Sequence, residues 1–188
     1  MSSDYKVFKD PIYGYIKIPK KYMRIIDSPS FQRLRRVSQT SYSPLYSSAL
    51  HNRFVHSMGV FHLAMLAMDT IETESAELFE KEFKAKSDWP FDFFDLFKLA
   101  ALLHDVGHSP FSHTGEKFYL SGEQYTDYSE LHNKLKELVA DDNFAVDIDA
   151  LDANNANPHE IMSAIVGLIE YEDFFDSPKA RSFFARCI

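Results

Sequence analysis

The chain carries a single cysteine, Cys187, so no disulfide can close within it and a zinc knuckle built on cysteine pairs is excluded. A reducing compartment is the simplest expectation, cytoplasmic or nuclear. There is no run of 18 apolar residues, and no membrane span is expected. The opening MSSDYKVFKD lacks a basic segment followed by an apolar one, so it does not read as a secretory signal. Basic residues are in deficit, 20 Lys and Arg against 28 Asp and Glu, which argues against a surface that coats nucleic acid. The sequence has no G-x-x-x-x-G-K-[ST] loop, no G-x-G-x-x-G turn and no G-x-S-x-G elbow. Asp147-x-Asp149 begins like a calcium loop, but the sixth position lacks glycine and Pro158 stands at the twelfth. Internal repeats, low-complexity tracts and interdomain linkers are also missing.

What is present suits one mainly helical domain over residues 1–188. The 188 residues include 17 Phe and 45% hydrophobic residues, ample for a core. Residues 4–20 alternate apolar and polar around a Pro/Gly turn, which predicts a short strand pair or extended arm. Ser28-Pro29 supplies a helix cap followed by proline at the first turn. The apolar spacing from Met58 to Ile71 predicts a largely buried helix, and a third helix is expected from Phe91 to about Val106, ended by Gly107. A polar amphipathic helix is expected around 128–140. Residues 141–157, rich in Asp and Asn, are expected to form a loop, and Asn157-Pro158 opens a further helix.

Charge is uneven along the chain. Lys20, Lys21, Arg24, Arg33, Arg35, Arg36 and Arg53 lie in the first third, while acidic residues concentrate at 69–85 and 141–152. A phosphate pocket built from the N-terminal half and an ordinary solvated basic face both fit this pattern.

The chemistry concentrates in LLHDVGHSPFSH. Three of the eight histidines, His104, His108 and His113, fall within ten residues there, with Asp105 beside the first. Chance would place about 0.2 histidines in such a window. Residues four apart share a helix face, so His104 and His108 are expected to point into one cavity. Neutral imidazole with carboxylate suits a divalent ion; Mn, Fe, Zn, Mg and Ni all fit. A further ligand must come from elsewhere. HNRFVHSMGV supplies His56, a metal ligand or a structural histidine, and Arg53, whose fork matches phosphate oxygens. His159, after Pro158, can act in acid–base chemistry or cap the helix. Glu116 can orient a catalytic imidazole or lie exposed.

HNRFVHS, LLHDVGHSPFSH and PHE together resemble the HD-domain superfamily, and KVFKDPIYGYI with IIDSPSFQRLRRVSQ resembles its dNTP triphosphohydrolase branch. The resemblance is strong over residues 5–118, weaker through 119–158, and resumes at 159–188. It implies an HD-domain helical bundle with a short N-terminal β arm. It implies that His56, His104 and Asp105 bind metal, that Arg53 and His113 contact phosphates, and that His108 lies by the α-phosphate. His159, supported by Glu116, would be the acid for the leaving 5′-oxygen. Gln39 would sit near the deoxyribose, with Thr40 standing where the regulated relatives carry leucine. Metal-activated water would attack the α-phosphorus, giving deoxynucleoside and triphosphate.

The family's fourth metal ligand is a downstream aspartate. No aspartate follows Asp176 here, so that ligand is expected beyond Ile188 in a longer protein. The resemblance also implies a guanine-nucleotide activator site at Lys6, Val7, Asp27, Gln32 and Arg35 and a homo-oligomer in the complete protein; Asp27 pairing with Arg24 or Arg35, and Gln32 as a surface helix residue, fit the same positions. Two other readings fit the same residues. One is an HD phosphohydrolase acting on a nucleotide monophosphate, a cyclic nucleotide or a nucleic-acid end; the other is a non-catalytic nucleotide-binding or assembly fragment.

Overall fold

The computed structural model of the chain describes residues 4–40, 48, 50–74, 92–150 and 156–188. The expected N-terminal arm is an antiparallel hairpin. Strands β1 (Tyr5–Asp10) and β2 (Gly14–Pro19) pair from Tyr5 opposite Pro19 to Asp10 opposite Gly14. Asp10 Oδ1 accepts from the amides of Ile12 and Tyr13 at 2.8 and 3.0 Å, and Gly14 at φ 75° completes the turn. One face of β2 drives Ile16 and Ile18 into the core while the alternate residues meet solvent.

Short helices α1 (Met23–Ile26) and α2 (Pro29–Gln32) follow. Ser28 caps α2 by accepting from the Phe31 amide at 3.3 Å. A 3-10 turn over Arg33–Arg36 leads to Val37, whose carbonyl accepts from the Arg53 amide at 2.9 Å. That bond seats the start of helix α3 (Arg53–Glu74). By length and composition α3 is the one helix among the described residues that could cross a membrane. Here its Phe54, Met58, Phe61, Ala64 and Met68 are buried in the core. Helix α4 (Phe93–Leu103) packs along α3 and is capped by Asp92.

Helix α4 stops at Leu103 instead of near Val106, and His104 to Gly107 form a turn; the expected start at Phe91 lies outside the described residues. Among the described residues the remaining α-helices are α5 (His113–Glu116), α6 (Ser129–Val139), α7 (Asp142–Ala150), α8 (Pro158–Glu170) and α9 (Pro178–Cys187). Helix α7 corrects the expected loop over 141–157. Asp141 accepts from the Phe144 amide at 2.8 Å, and Phe144 and Ile148, four apart, bury one face. Residues 151–155 lie outside the described part.

The core joins α3, α4, α6, α8 and α9 beneath the hairpin. Tyr22 meets Phe61 edge to face at 4.9 Å, and Phe31 meets Phe54 at 5.3 Å. Phe184 of α9 is fully buried against Gly167 of α8, where an added Cβ would fall 2.5 Å from its ring. This packing holds the first turn of α3, the turn after α4 and the start of α8 at one place.

Candidate metal centre and acid–base cluster

Arg53 and His56 stand one turn apart at the start of α3, and His104 and Asp105 follow the end of α4. Nε2 of His56 and Nε2 of His104 are 3.2 Å apart. Asp105 Oδ2 lies 3.7 Å from His56 Nε2, and its Oδ1 lies 3.6 Å from His104 Nε2. The donor atoms of the three residues all fall within 4.8 Å of one another. With metal–nitrogen bonds of about 2.0–2.1 Å, two neighbouring ligand nitrogens sit about 3 Å apart, so the imidazole pair fits a shared cation. His104 Nδ1 is 2.9 Å from the Ala101 carbonyl. An N–H donated there leaves the Nε2 lone pair facing His56.

The electrostatics agree with a cation site. Burial lowers the pKa of His56, and the charges of His104 and Arg53 lower it further against the pull of Asp105. A neutral imidazole keeps the lone pair that a metal needs. For Asp105, burial favours the neutral acid but is outweighed by His108, His104 and Arg53, which hold its carboxyl well below the usual carboxylate range.

Arg53 is 3% exposed and divides its fork. Nη1 donates to Asp105 Oδ2 at 2.8 Å, Nη2 donates to Ser112 Oγ at 2.8 Å, and His113 Nε2 lies 3.3 Å from Nη2. The guanidinium therefore joins the His56–His104–Asp105 triad to the loop before α5.

A second cluster gathers on Glu116. His159 Nδ1 lies 3.0 Å from Glu116 Oε2, while His113 Nδ1 and His108 Nδ1 lie 2.8 and 3.1 Å from Oε1. The rings of His108 and His159 stack at 3.8 Å, only 18° from parallel. His108 Nε2 reaches Asp105 Oδ1 at 3.2 Å and so touches both groups. These His108 contacts are close in distance but poorly aligned, and both of its ring nitrogens are buried without a well-formed hydrogen bond. Burial lowers the pKa of His108 against the opposing pull of Asp105.

Glu116 is thus buried rather than exposed, and His159 serves as a partner of Glu116 rather than a helix cap. Asn157 and Glu160 provide the cap, with the Asn157 amide donating to Glu160 Oε2 at 2.7 Å. His104 and His108 do converge, but not across one helix face. The helix has ended, and the turn lets Asp105 lie between them.

Several supports were invisible in the sequence. Arg33 donates to the carbonyls of His108 and Val106 at 2.6 and 2.5 Å, bracing the turn from outside. The Gly107 amide donates to Ser163 Oγ at 2.8 Å, and Tyr119 Oη donates to the Gly107 carbonyl at 2.9 Å. A Cβ on Gly107 would strike the Ser163 amide and come within 2.6 and 2.7 Å of Met162 and the His159 carbonyl oxygen. Ser112, which receives Arg53, sits at φ 51°, a strained conformation for a non-glycine residue.

Gln39 and Thr40 lie beyond this centre. Gln39 Oε1 and Thr40 Oγ1 are both buried without a hydrogen-bond partner. Thr40 lines a 360 Å³ cavity with Arg36, Ser38, Phe111, Ser112 and Thr114. Among the residues matched to an activator site, Lys6 and Val7 lie on β1, where Lys6 Nζ sits over the Phe8 ring at 5.7 Å. Gln32 donates to the Ile26 carbonyl at 2.6 Å and accepts from Arg35 at 2.8 Å, and Arg35 lies 3.6 Å over the Phe54 ring. Asp27 is exposed; Arg24 pairs with Asp173 instead.

A family model described as HD domain matches residues 53–173. The chain is 39% identical to the uncharacterized protein YwfO of Bacillus subtilis over 127 residues, 66% of this chain and 27% of that protein. It is 34% identical to a protein named deoxynucleoside triphosphate triphosphohydrolase SAMHD1 homolog, of Dictyostelium discoideum, over 140 residues, 73% of this chain and 26% of that protein. The chain therefore spans about a quarter of the length of these two relatives. The crystal structure of a phosphohydrolase from Bacteroides thetaiotaomicron superimposes with a TM-score of 0.51 at 27% identity, covering 92% of this chain and 36% of that one.

Proposed function

The chain belongs to the HD domain family, and from that membership we propose that residues 1–188 form one HD unit of a metal-dependent phosphohydrolase whose substrates are deoxynucleoside triphosphates. The observation that carries the hydrolase reading is the Arg53 guanidinium, 2.8 Å from Asp105 beside the His56–His104 pair. It sets a phosphate-binding fork against a cation site. The names of relatives in Dictyostelium discoideum and Danio rerio support the choice of substrate.

On this reading His56, His104 and Asp105 hold the divalent ion. That ion supplies Lewis-acid activation of water and neutralises charge that develops on the phosphoryl oxygens. Arg53 and His113 bind phosphate oxygens, Arg53 being held in place by Asp105 and Ser112. His108 stands beside the α-phosphate, between Asp105 and Glu116. Glu116 accepts a hydrogen bond from the Nδ1–H of protonated His159, whose Nε2–H supplies the proton to the departing 5′-oxygen and leaves a neutral imidazole. Products are the deoxynucleoside and triphosphate. Gln39 and Thr40 are the residues this reading assigns to the sugar, and their buried, unpartnered Oε1 and Oγ1 atoms support it.

Guanine-nucleotide activation through Lys6, Val7, Asp27, Gln32 and Arg35, homo-oligomerisation and a cytoplasmic location belong to the same proposal. The test uses the protein as it occurs in its source, incubated with each of the four dNTPs and with the matching rNTPs. Products are separated by ion-exchange chromatography. Deoxynucleoside with intact triphosphate is expected. Release of orthophosphate or pyrophosphate, or turnover of monophosphates alone, would overturn the substrate assignment.

A further inference from the structure

We propose that the cluster on Glu116 is itself a second cation site, taking a borderline divalent ion such as zinc on Glu116 and the Nδ1 atoms of His108, His113 and His159. The ligand atoms of these four residues lie within 4.8 Å of one another. The three nitrogens stand 2.8, 3.1 and 3.0 Å from the nearer carboxylate oxygens, close to the about 3 Å edge between adjacent ligands of a cation bonded at about 2.0–2.2 Å. Three imidazoles with one carboxylate form a donor set that favours zinc, copper or nickel over magnesium or calcium.

A second observation concerns alignment. Despite these short contacts, Glu116 Oε1 and both ring nitrogens of His108 are buried without a well-formed hydrogen bond, and His108 is fully buried. Buried polar atoms left unpaired are costly, and Oε1 and Nδ1 face each other at the point where the ion would sit. The side chain of His113 is 60% exposed, which leaves a path for entry. His56, His104 and Asp105 are not among the four ligands, although His108 touches Asp105 at 3.2 Å, so the two sites adjoin without sharing a ligand.

Ligation uses the lone pair of each nitrogen. Any proton held at Nδ1 is released to solvent as the ion binds. The Glu116–His159 contact is replaced by bonds to the ion, so occupation withdraws His159 from proton transfer. Zinc at this position is inhibitory, whatever ion fills the first site.

The test counts bound zinc directly. Metal-free protein is titrated with zinc chloride, desalted and assayed by elemental analysis, with cobalt absorption as a second readout. Two zinc ions per chain are expected. His104→Ala retains one, and the zinc left in it is lost on adding His113→Ala. In His113→Ala and in Glu116→Gln, each checked for folding by circular dichroism, the dissociation constant of the second ion rises tenfold or more. The proposal is overturned by one zinc per wild-type chain, or by two zinc ions of unchanged affinity in both single variants. His113→Ala keeps the test decisive, because its exposed side chain can be cut back without emptying the core. If instead His104→Ala kept both ions, the first centre would be misassigned and the second left standing.

Discussion

Arg53 and Asp105 meet at 2.8 Å from the start of one helix and the end of another, with side chains 3% and 5% exposed. Removing one partner of such a pair leaves a buried charge uncompensated, at a cost of about 3–5 kcal/mol. Arg53→Met is therefore expected to lower the urea midpoint of the metal-free protein substantially. Arg53→Lys keeps the charge but cannot reach Asp105 and Ser112 together, so it should recover only part of the loss. A midpoint unchanged in Arg53→Met would show that the pair does not hold the two helices.

His104→Ala and Asp105→Ala should each lose the primary metal and, with it, hydrolysis. A site stripped to two ligands keeps poor geometry and too little charge. Elemental analysis at limiting metal decides the matter; full occupancy of the primary site in both variants would remove the assignment.

His159→Ala is expected to keep the primary metal while turnover falls by about 10² to 10⁴, the usual range for lost acid–base catalysis. Glu116→Gln should also slow turnover and alter its pH profile, because Glu116 acts through His159 Nδ1. Wild-type turnover by His159→Ala at every pH would reduce His159 to a packing residue.

Gly107→Ala adds only one methyl group, yet the new carbon would collide with the backbone of α8 at Met162 and Ser163. Overpacking of this kind typically costs about 1–3 kcal/mol. Because Asp105 and His159 flank the clash, activity should fall further than stability alone explains. Full activity together with an unchanged melting temperature would contradict the close approach of the turn to α8.

For the activator, GTP is titrated while dATP hydrolysis and oligomer mass are followed together. Both are expected to rise, and Asp27→Ala should abolish the response. Asp27 is exposed while Arg24 and Arg35 are held by other partners, which leaves its carboxylate available for the guanine edge. Gln32 and Arg35 would first have to give up the bond between them. A response to GTP that is absent in the wild type, or identical in Asp27→Ala, would remove the activation claim and leave the hydrolase claim intact.

The candidate site was legible where polar residues interrupt apolar runs. His104 and Asp105 follow Leu102-Leu103, and Arg53 and His56 open the longest apolar helix, so their appearance at buried helix ends could be read in advance. His104 and His108 converge through the turn after Leu103 and not through helical spacing, which says nothing of where a helix stops. Helix α7 was hidden by its Asp and Asn content, although Phe144 and Ile148 carried the helical spacing. The supporting roles of Gly107, expected only to end a helix, and of Arg33 and Ser112 left no such mark. Each is required by a backbone or side chain distant in sequence, and a local pattern carries no trace of that.

The meeting of the start of α3 with the turn after α4 has a consequence for folding. His56 meets His104 across 48 residues, Arg53 meets Asp105 across 52, and Glu116 meets His159 across 43. None of these contacts is local, so the centre closes only after the entropy of large loops has been lost. That cost rises with the logarithm of loop length, about 0.6 kcal/mol for each doubling. Metal uptake during refolding therefore reports when these long-range contacts have closed.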